Sequence, residues 1–379
     1  MAAQTQDIFD AIDKGQFEEV EKRLKAGIDV NCLDKNGMTP LSMAAYKGNE
    51  DLCKLLLQHG ADVNSKKHEH GYTPLMFAAL AGKPNLCRLL MDFGAYPAAT
   101  NNIGKTACEM AAFVSQHECV SVINTHVSLD QISKLLNPKE SEEKFPEELA
   151  KFIHEMVCAH VIHPVALIFS ILDYEDGIKY RKKILYIVDR VFESQLRCKE
   201  GNEVMSLKLW FILHMLREMY KYIDEHSEKP PSEALTLYAK TLLFMQPEHQ
   251  VRPNLDALLR AGIVSFPYRQ SLLFQTIVKA LAKSKFGERP AAYDYIIQVL
   301  FGQRILAVSQ FCFTCGGFNA TKRCPKCRVP YCSQKCQKYD WGIHKKCCAA
   351  IGEWHTPNDD SPTDLDALQA QLESASVTS

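Results

Sequence analysis

Thr39-Pro40-Leu41-Ser42-Met43-Ala44-Ala45 recurs 34 residues on as Thr73-Pro74-Leu75-Met76-Phe77-Ala78-Ala79. After 33 more it returns, loosely, as Thr106-Ala107-Cys108-Glu109-Met110-Ala111-Ala112. A glycine precedes each copy where the chain must bend tightly (Gly37, Gly71, Gly104), and a second apolar helix follows, such as Leu52 to Leu57 or Leu86 to Met91. Gly60-Ala61-Asp62 and Gly94-Ala95-Tyr96 close the helix pairs. A step of 33 residues back from Ala44 reaches Ala11, and Ala26-Gly27-Ile28-Asp29-Val30-Asn31 supplies the matching end of a capping repeat. Units at this period bury their apolar faces only against their neighbours, which predicts a solenoid.

The period and the T-P-L-x-x-A core resemble ankyrin repeats, about four of them over residues 1–127. Such repeats have no chemistry of their own, so interest moves to unusual surface positions. In this architecture the fifth and eighth residues counted from the Thr face the concave side. Here they are Met43, Phe77 and Met110 in one column and Tyr46, Leu80 and Phe113 in the other. Six apolar side chains in two columns predict an exposed patch larger than a soluble monomer normally tolerates. It is either a groove for a partner's apolar helix or strand, or the docking face of the chain's own central segment. His68-Glu69-His70, in the loop before Gly71, reads as a polar finger tip rather than a metal site.

The chain has 379 residues, enough for two or three domains, with 44 Lys+Arg against 45 Asp+Glu. A polycation and a disordered polyampholyte are both excluded by that balance and by the 46% hydrophobic content. Met1 to Asp10 lacks the basic start and apolar run of a secretory peptide. Val165 to Leu172, among the longest apolar runs, falls far short of the roughly 20 residues that span a bilayer, so no membrane insertion is expected.

Between residues 128 and 308 no repeat is visible, but helical periodicity is, as in Leu149, Phe152, Ile153, Met156 and Val157, or Leu209, Ile212, Leu213, Leu216 and Met219. Breaks at Pro164, Gly177, Gly201, Pro230-Pro231, Pro247, Pro253, Gly287 and Pro290 divide it into six to eight helices, an all-α domain. His154-Glu155 begins like a zinc-protease motif, but Cys158 stands where the second histidine belongs. His160 and His163 read as structural histidines. Phosphate loops, nucleophile elbows and kinase signatures are absent, which weakens an enzyme reading.

Seven of the 15 cysteines are scattered singly before residue 312 and eight lie in 312–348, unlike an extracellular disulfide scaffold. Cys312-x2-Cys315-x8-Cys324-x2-Cys327-x4-Cys332-x3-Cys336-x7-His344-x3-Cys348 offers eight zinc-type ligands, enough for two closed tetrahedral sites. Closed sites fold a module too small to hold a core rather than catalyse, and metal binding contributes on the order of 10 kcal/mol to that. Cys347 is the poorer ligand candidate. Spacing alone allows sequential or interleaved sharing of the two metals.

Tyr331-Cys332-Ser333, Cys336-Gln337, Asp340-Trp341 and His344 resemble the MYND zinc finger, over residues 309–352. That resemblance implies an interleaved brace: Cys312, Cys315, Cys332 and Cys336 on one zinc, Cys324, Cys327, His344 and Cys348 on the other. Eight basic side chains, one carboxylate, seven thiolates and two dications leave this finger at about +4. Base readout needs a helix or ribbon presented to a groove, and the resemblance implies a peptide ligand instead, so no nucleic acid is expected. Residues 353–379 read as an acidic, disordered tail.

Repeats, helical middle and finger, in that order, resemble the ankyrin repeat and MYND domain-containing protein 2 family. Val30-Asn31-Cys32-Leu33-Asp34, His68-Glu69-His70-Gly71-Tyr72-Thr73 and Ala111-Ala112-Phe113 carry the likeness beyond architecture. Ser42, Met76 and Glu109 replace the histidine of the ankyrin T-P-L-H core, which weakens a loop hydrogen bond rather than the fold. The resemblance implies a non-enzymatic adaptor, cytoplasmic and ciliary, for adenylyl or guanylyl cyclases or their chaperones. Two other readings are a nuclear corepressor adaptor and a SET-type methyltransferase; SET-like segments do not flank the finger.

Overall fold

The computed structural model describes residues 2–139, 143–159, 161–174, 176–197, 202–301, 310–318 and 320–354. His160 and the acidic tail from residue 355 onward lie outside them. The chain is mainly helical and divides into two compact units, Met1–Cys158 and Ala159–Ser379.

Four helix pairs open the first unit: α1 (Ala2–Asp13) with α2 (Phe17–Lys25), α3 (Pro40–Lys47) with α4 (Glu50–Gln58), α5 (Pro74–Leu80) with α6 (Pro84–Asp92), and α7 (Ala107–Phe113) with α8 (His117–Asn124). The repeated threonine is the N-cap of α3, α5 and α7. Thr39, Thr73 and Thr106 each accept a hydrogen bond from the backbone three residues ahead, at 3.1, 3.3 and 3.2 Å. Such a cap stabilises a helix by about 1 kcal/mol. The residues in the missing histidine's place differ in what they do. Glu109 Oε2 accepts from the Thr106 N–H at 2.9 Å and completes a capping box, while Ser42 takes a hydrogen bond from the Thr39 hydroxyl at 3.0 Å.

Gly37 shows why the turn before each Thr excludes a side chain. Its φ is +76°, and a Cβ there would collide with the Lys67 carbonyl of the next repeat. Asparagines lock successive repeats together. Asn31 Oδ1 accepts from the Asp62 N–H at 2.8 Å, and Asn64 Oδ1 from the Tyr96 N–H at 2.9 Å. Leu41, Leu52, Leu56, Leu75, Leu86 and Leu90 are buried in one continuous core, each contributing about 1.5–3 kcal/mol.

Helices α9 (Leu129–Leu136) and α10 (Glu147–Cys158) complete this unit. The break therefore falls inside the 128–308 segment that reads as one helical domain. Specific ties hold the two helices to the repeats: Arg88 Nη2 on α6 donates to the Cys158 carbonyl at 2.8 Å, and Asn137 closes their connection through both amide atoms on Phe145.

The second unit runs through α11 (Pro164–Asp173), α12 (Asp176–Lys179), α13 (Arg181–Arg197), α14 (Glu203–Glu225), α15 (Pro231–Leu243), α16 (Pro253–Val264), α17 (Leu272–Leu281) and α18 (Ala292–Phe301). Its centre is α14, buried all round from Met205 to Leu216 and mostly apolar there, with Ser206, Lys208 and His214 enclosed among the apolar side chains. That is the composition of a core helix rather than a surface one. Trp210 Nε1 on α14 donates to the Gly262 carbonyl on α16 at 2.7 Å. The helices cross so closely there that a Cβ at Gly262 would lie 2.8 Å from the His214 ring. The last described elements form the finger: β1 (Lys322–Arg323) paired antiparallel with β2 (Pro330–Tyr331), then α19 (Gln334–Trp354).

Candidate functional site

Eight ligand-type side chains converge in the finger as two groups of four. Cys312, Cys315, Cys332 and Cys336 form one, and Cys324, Cys327, His344 and Cys348 the other, with donor atoms in each group within 4.8 Å of one another. Two tight knuckles at Cys312-x2-Cys315 and Cys324-x2-Cys327 present pairs of thiols, and α19 presents Cys336, His344 and Cys348 along its length. The groups interleave along the chain, so each brace spans the finger.

Their spacing suits zinc. Cys315 and Cys332 sulfurs lie 3.6 Å apart, Cys332 and Cys336 3.5 Å, Cys324 and Cys348 3.8 Å, and Cys327 Sγ lies 3.4 Å from His344 Nε2. A tetrahedron with Zn–S bonds of about 2.3 Å has edges of about 3.8 Å, slightly less toward nitrogen. Sulfurs this crowded resist joint ionisation. Burial first, and then the Cys324 thiol, push Cys327 up to about 12, and the Cys312 neighbour does the same to Cys336. A dication removes that penalty, and four protein donors leave no vacancy for water. The finger carries two structural zinc ions.

Around these groups the structure gives Asp340 and Tyr331, so far only marks of the resemblance, a role, and adds Arg252, which sequence reading missed. Asp340, buried in the second turn of α19, lies 3.8 Å from His344 Nδ1, the ring nitrogen facing away from Cys327. A carboxylate in that place orients a ligating imidazole. Asp340 also accepts from the Tyr331 hydroxyl at 2.8 Å and from Arg252 at 2.9 Å. Arg252 stands immediately before α16 and lays its guanidinium over the Phe313 ring, 4.2 Å from the centroid. Nothing in sequence spacing marks Arg252.

Further contacts fasten the finger to the helices of its unit. Tyr339 donates to the Thr236 carbonyl at 3.0 Å, Lys335 pairs with Asp173 at 3.2 Å, and Tyr293 donates to the Gly316 carbonyl at 3.4 Å. The Cys347 thiol donates to the Met245 carbonyl at 3.3 Å and belongs to neither ligand group. His163, buried beside Tyr293, caps α11 by accepting from the Val165 N–H at 3.2 Å. The finger's remaining surface is basic: Lys322, Lys326, Arg328, Lys338, Lys345 and Lys346 are exposed, as is Trp341 at 48%.

The six concave-face residues of the repeats do not share one environment. Phe113 is 91% exposed and Tyr46 53%, whereas Phe77 is 5% exposed and Met110 is also buried; Met43 and Leu80 are half-buried. The expected patch of six is corrected accordingly. Phe77 lies under a ring cluster, edge-on to Tyr46, Tyr72 and His68 at centroid distances of 6.0, 5.5 and 5.2 Å. His68 stacks on Tyr72, so the His68-Glu69-His70 loop serves packing and joins no metal group among the described residues.

Residues 8–101 match the family described as ankyrin repeats, in three copies, and residues 312–348 match the MYND finger. Over 372 residues the chain is 50% identical to Dauer abnormal formation protein 25 of Caenorhabditis elegans, covering 96% of each chain. It is also 36% identical over 69 residues to an ankyrin repeat-containing protein of Schizosaccharomyces pombe, covering 18% of this chain and 33% of that one. Against the 2-5A-dependent ribonuclease of Mus musculus it is 41% identical over 61 residues, 16% of this chain and 8% of the other. Among the described residues no helix is long and apolar enough to cross a membrane.

Proposed function

The chain belongs to the family of ankyrin-repeat and MYND-finger proteins that includes Dauer abnormal formation protein 25, and from that membership we propose a non-enzymatic adaptor that delivers adenylyl or guanylyl cyclases to cilia. The observation that carries this reading is the pair of separate exposed surfaces on one chain. One is the aromatic face of the repeats at Tyr46 and Phe113; the other is the basic surface around Trp341.

Each surface suits a different part of a partner. Tyr46 and Phe113, with half-buried Met43 and Leu80 beside them, offer apolar area to a helix or strand of the cyclase or its chaperone. The finger offers cationic side chains and an indole to a peptide. Cys312, Cys315, Cys332 and Cys336 hold one zinc, and Cys324, Cys327, His344 and Cys348 the other. When bound, the metals crosslink the finger and fold it, and all the binding is done by protein side chains. Two modest contacts on one chain produce avidity when a partner engages both.

The test is cellular. In ciliated cells lacking this protein, cyclase should be depleted from cilia and restored by wild type but not by Tyr46→Asp with Phe113→Asp. Full restoration by the double variant, or residence of the protein in the nucleus alone, overturns the reading.

A further inference from the structure

His154 lacks the second histidine of the zinc-protease spacing, yet the fold brings two other ligand-type groups to it. Asp92 is the last residue of α6, His126 lies in the connection between α8 and α9, and His154 is on α10. One ligand atom from each lies within 4.8 Å of the others. His126 Nε2 is 2.8 Å from Asp92 Oδ1, and His154 Nε2 is 3.3 Å from that same oxygen. Both imidazoles are shielded from solvent, while the carboxylate is partly open to it.

Two features separate this cluster from an ordinary ion pair. Two imidazoles converge on a single carboxylate oxygen, with their rings edge to face at a centroid distance of 5.9 Å. In addition, His154 Nε2 is buried and its contact with that oxygen, at 3.3 Å, is longer and less well aligned than that of His126. Two buried ring nitrogens facing one carboxylate oxygen are an arrangement that a single cation can bridge. Zn–N and Zn–O bonds of about 2.0–2.1 Å set tetrahedral edges of about 3.3 Å, which the His154–Asp92 spacing of 3.3 Å matches, while the His126–Asp92 spacing of 2.8 Å is a hydrogen-bond distance that must open by about 0.5 Å to admit the ion. His154 also interacts with Cys158, one helical turn on, as a ligating imidazole does with a group that fixes its orientation.

We propose that Asp92, His126 and His154 form a third zinc site, distinct from the finger, that clips α10 to the repeats. Its donors are two nitrogens and one oxygen, so it differs in kind from the sulfur-rich sites. With three protein ligands it leaves a position for water at the solvent side of Asp92, and its ion exchanges more readily than those of the closed sites. Glu155, the neighbouring carboxylate on α10, is exposed and outside the donor set.

Cobalt titration of the full-length protein tests the proposal, after mild chelation that spares the two thiolate-bound zincs. Wild type should take up one further equivalent of Co2+ and show d–d absorption without a thiolate charge-transfer band. Asp92→Asn and His126→Gln should each weaken this uptake at least tenfold with finger zinc unchanged. Zinc should also raise the thermal midpoint of the wild-type Met1–Cys158 unit and leave that of Asp92→Asn unmoved. No third equivalent in wild type, or equal uptake by both variants, overturns the site and leaves a hydrogen-bonded triad only.

Discussion

Arg252 Nη2 donates to Asp340 Oδ1 at 2.9 Å, with both side chains buried and the two residues 88 positions apart in sequence. A helix start in the helical body thus neutralises the carboxylate that stands behind a zinc-binding imidazole. Asp340 spends its other oxygen on the Tyr331 hydroxyl, and Arg252 turns its flat face to Phe313. The support behind His344 is therefore completed by a residue outside the finger.

Removing one member of a buried pair leaves the other charged and unpartnered. Arg252→Ala should lower the stability of the second unit by about 3–5 kcal/mol. Arg252→Met combined with Asp340→Asn should cost less than Arg252→Ala, because no buried charge is stranded. Urea unfolding of the three proteins measures this, and an Arg252→Ala protein as stable as wild type would remove the coupling.

Interleaving has a spectroscopic signature. With zinc replaced by cobalt, Cys324→Ser should abolish the site containing His344 and leave an all-sulfur spectrum. In a sequential arrangement the same substitution would leave the sulfur–nitrogen spectrum. Finger zinc content should fall by one.

His163 predicts an acid sensitivity. Burial first, and then the Arg252 guanidinium, depress its folded pKa to about 3, against 6.5 ordinarily. Between those values the unfolded chain binds a proton that the folded chain refuses. The stabilisation is therefore complete above pH 6.5 and declines as pH falls, by about 1.4 kcal/mol per unit. His163→Asn keeps a capping oxygen and should flatten this slope relative to wild type in urea titrations at stepped pH.

Phe77 and Phe113 should part company. Phe113→Asp touches an almost fully exposed ring and should shift stability by no more than about 0.5 kcal/mol. Phe77→Asp puts a charge under Tyr46, Tyr72 and His68 and should cost at least about 3 kcal/mol. Thermal unfolding separates them; equal midpoints would contradict the packing described.

These cases show what a sequence exposes. Cys-x2-Cys knuckles and the T-P-L repeat are local, so spacing alone carries their geometry. The concave columns were half legible: position in a repeat sets the direction of a side chain, but not whether a loop such as His68–Tyr72 folds over it. Arg252 with Asp340, and His154 with Asp92 and His126, were illegible because their partners come from separate segments brought together only by tertiary packing. The break after Cys158 was hidden for the same reason, since α9 and α10 have ordinary helical periodicity and only their contacts assign them to the repeats.

In the proposed function the repeat face and the finger both contact one cargo. Affinity for a cyclase's cytoplasmic region, measured for wild type, Tyr46→Asp/Phe113→Asp, Trp341→Ala and their combination, tests it most directly. Each separate change should weaken binding by about tenfold or more, and the combination further still, with finger zinc unchanged. Wild-type affinity in the Tyr46→Asp/Phe113→Asp protein would contradict the claim.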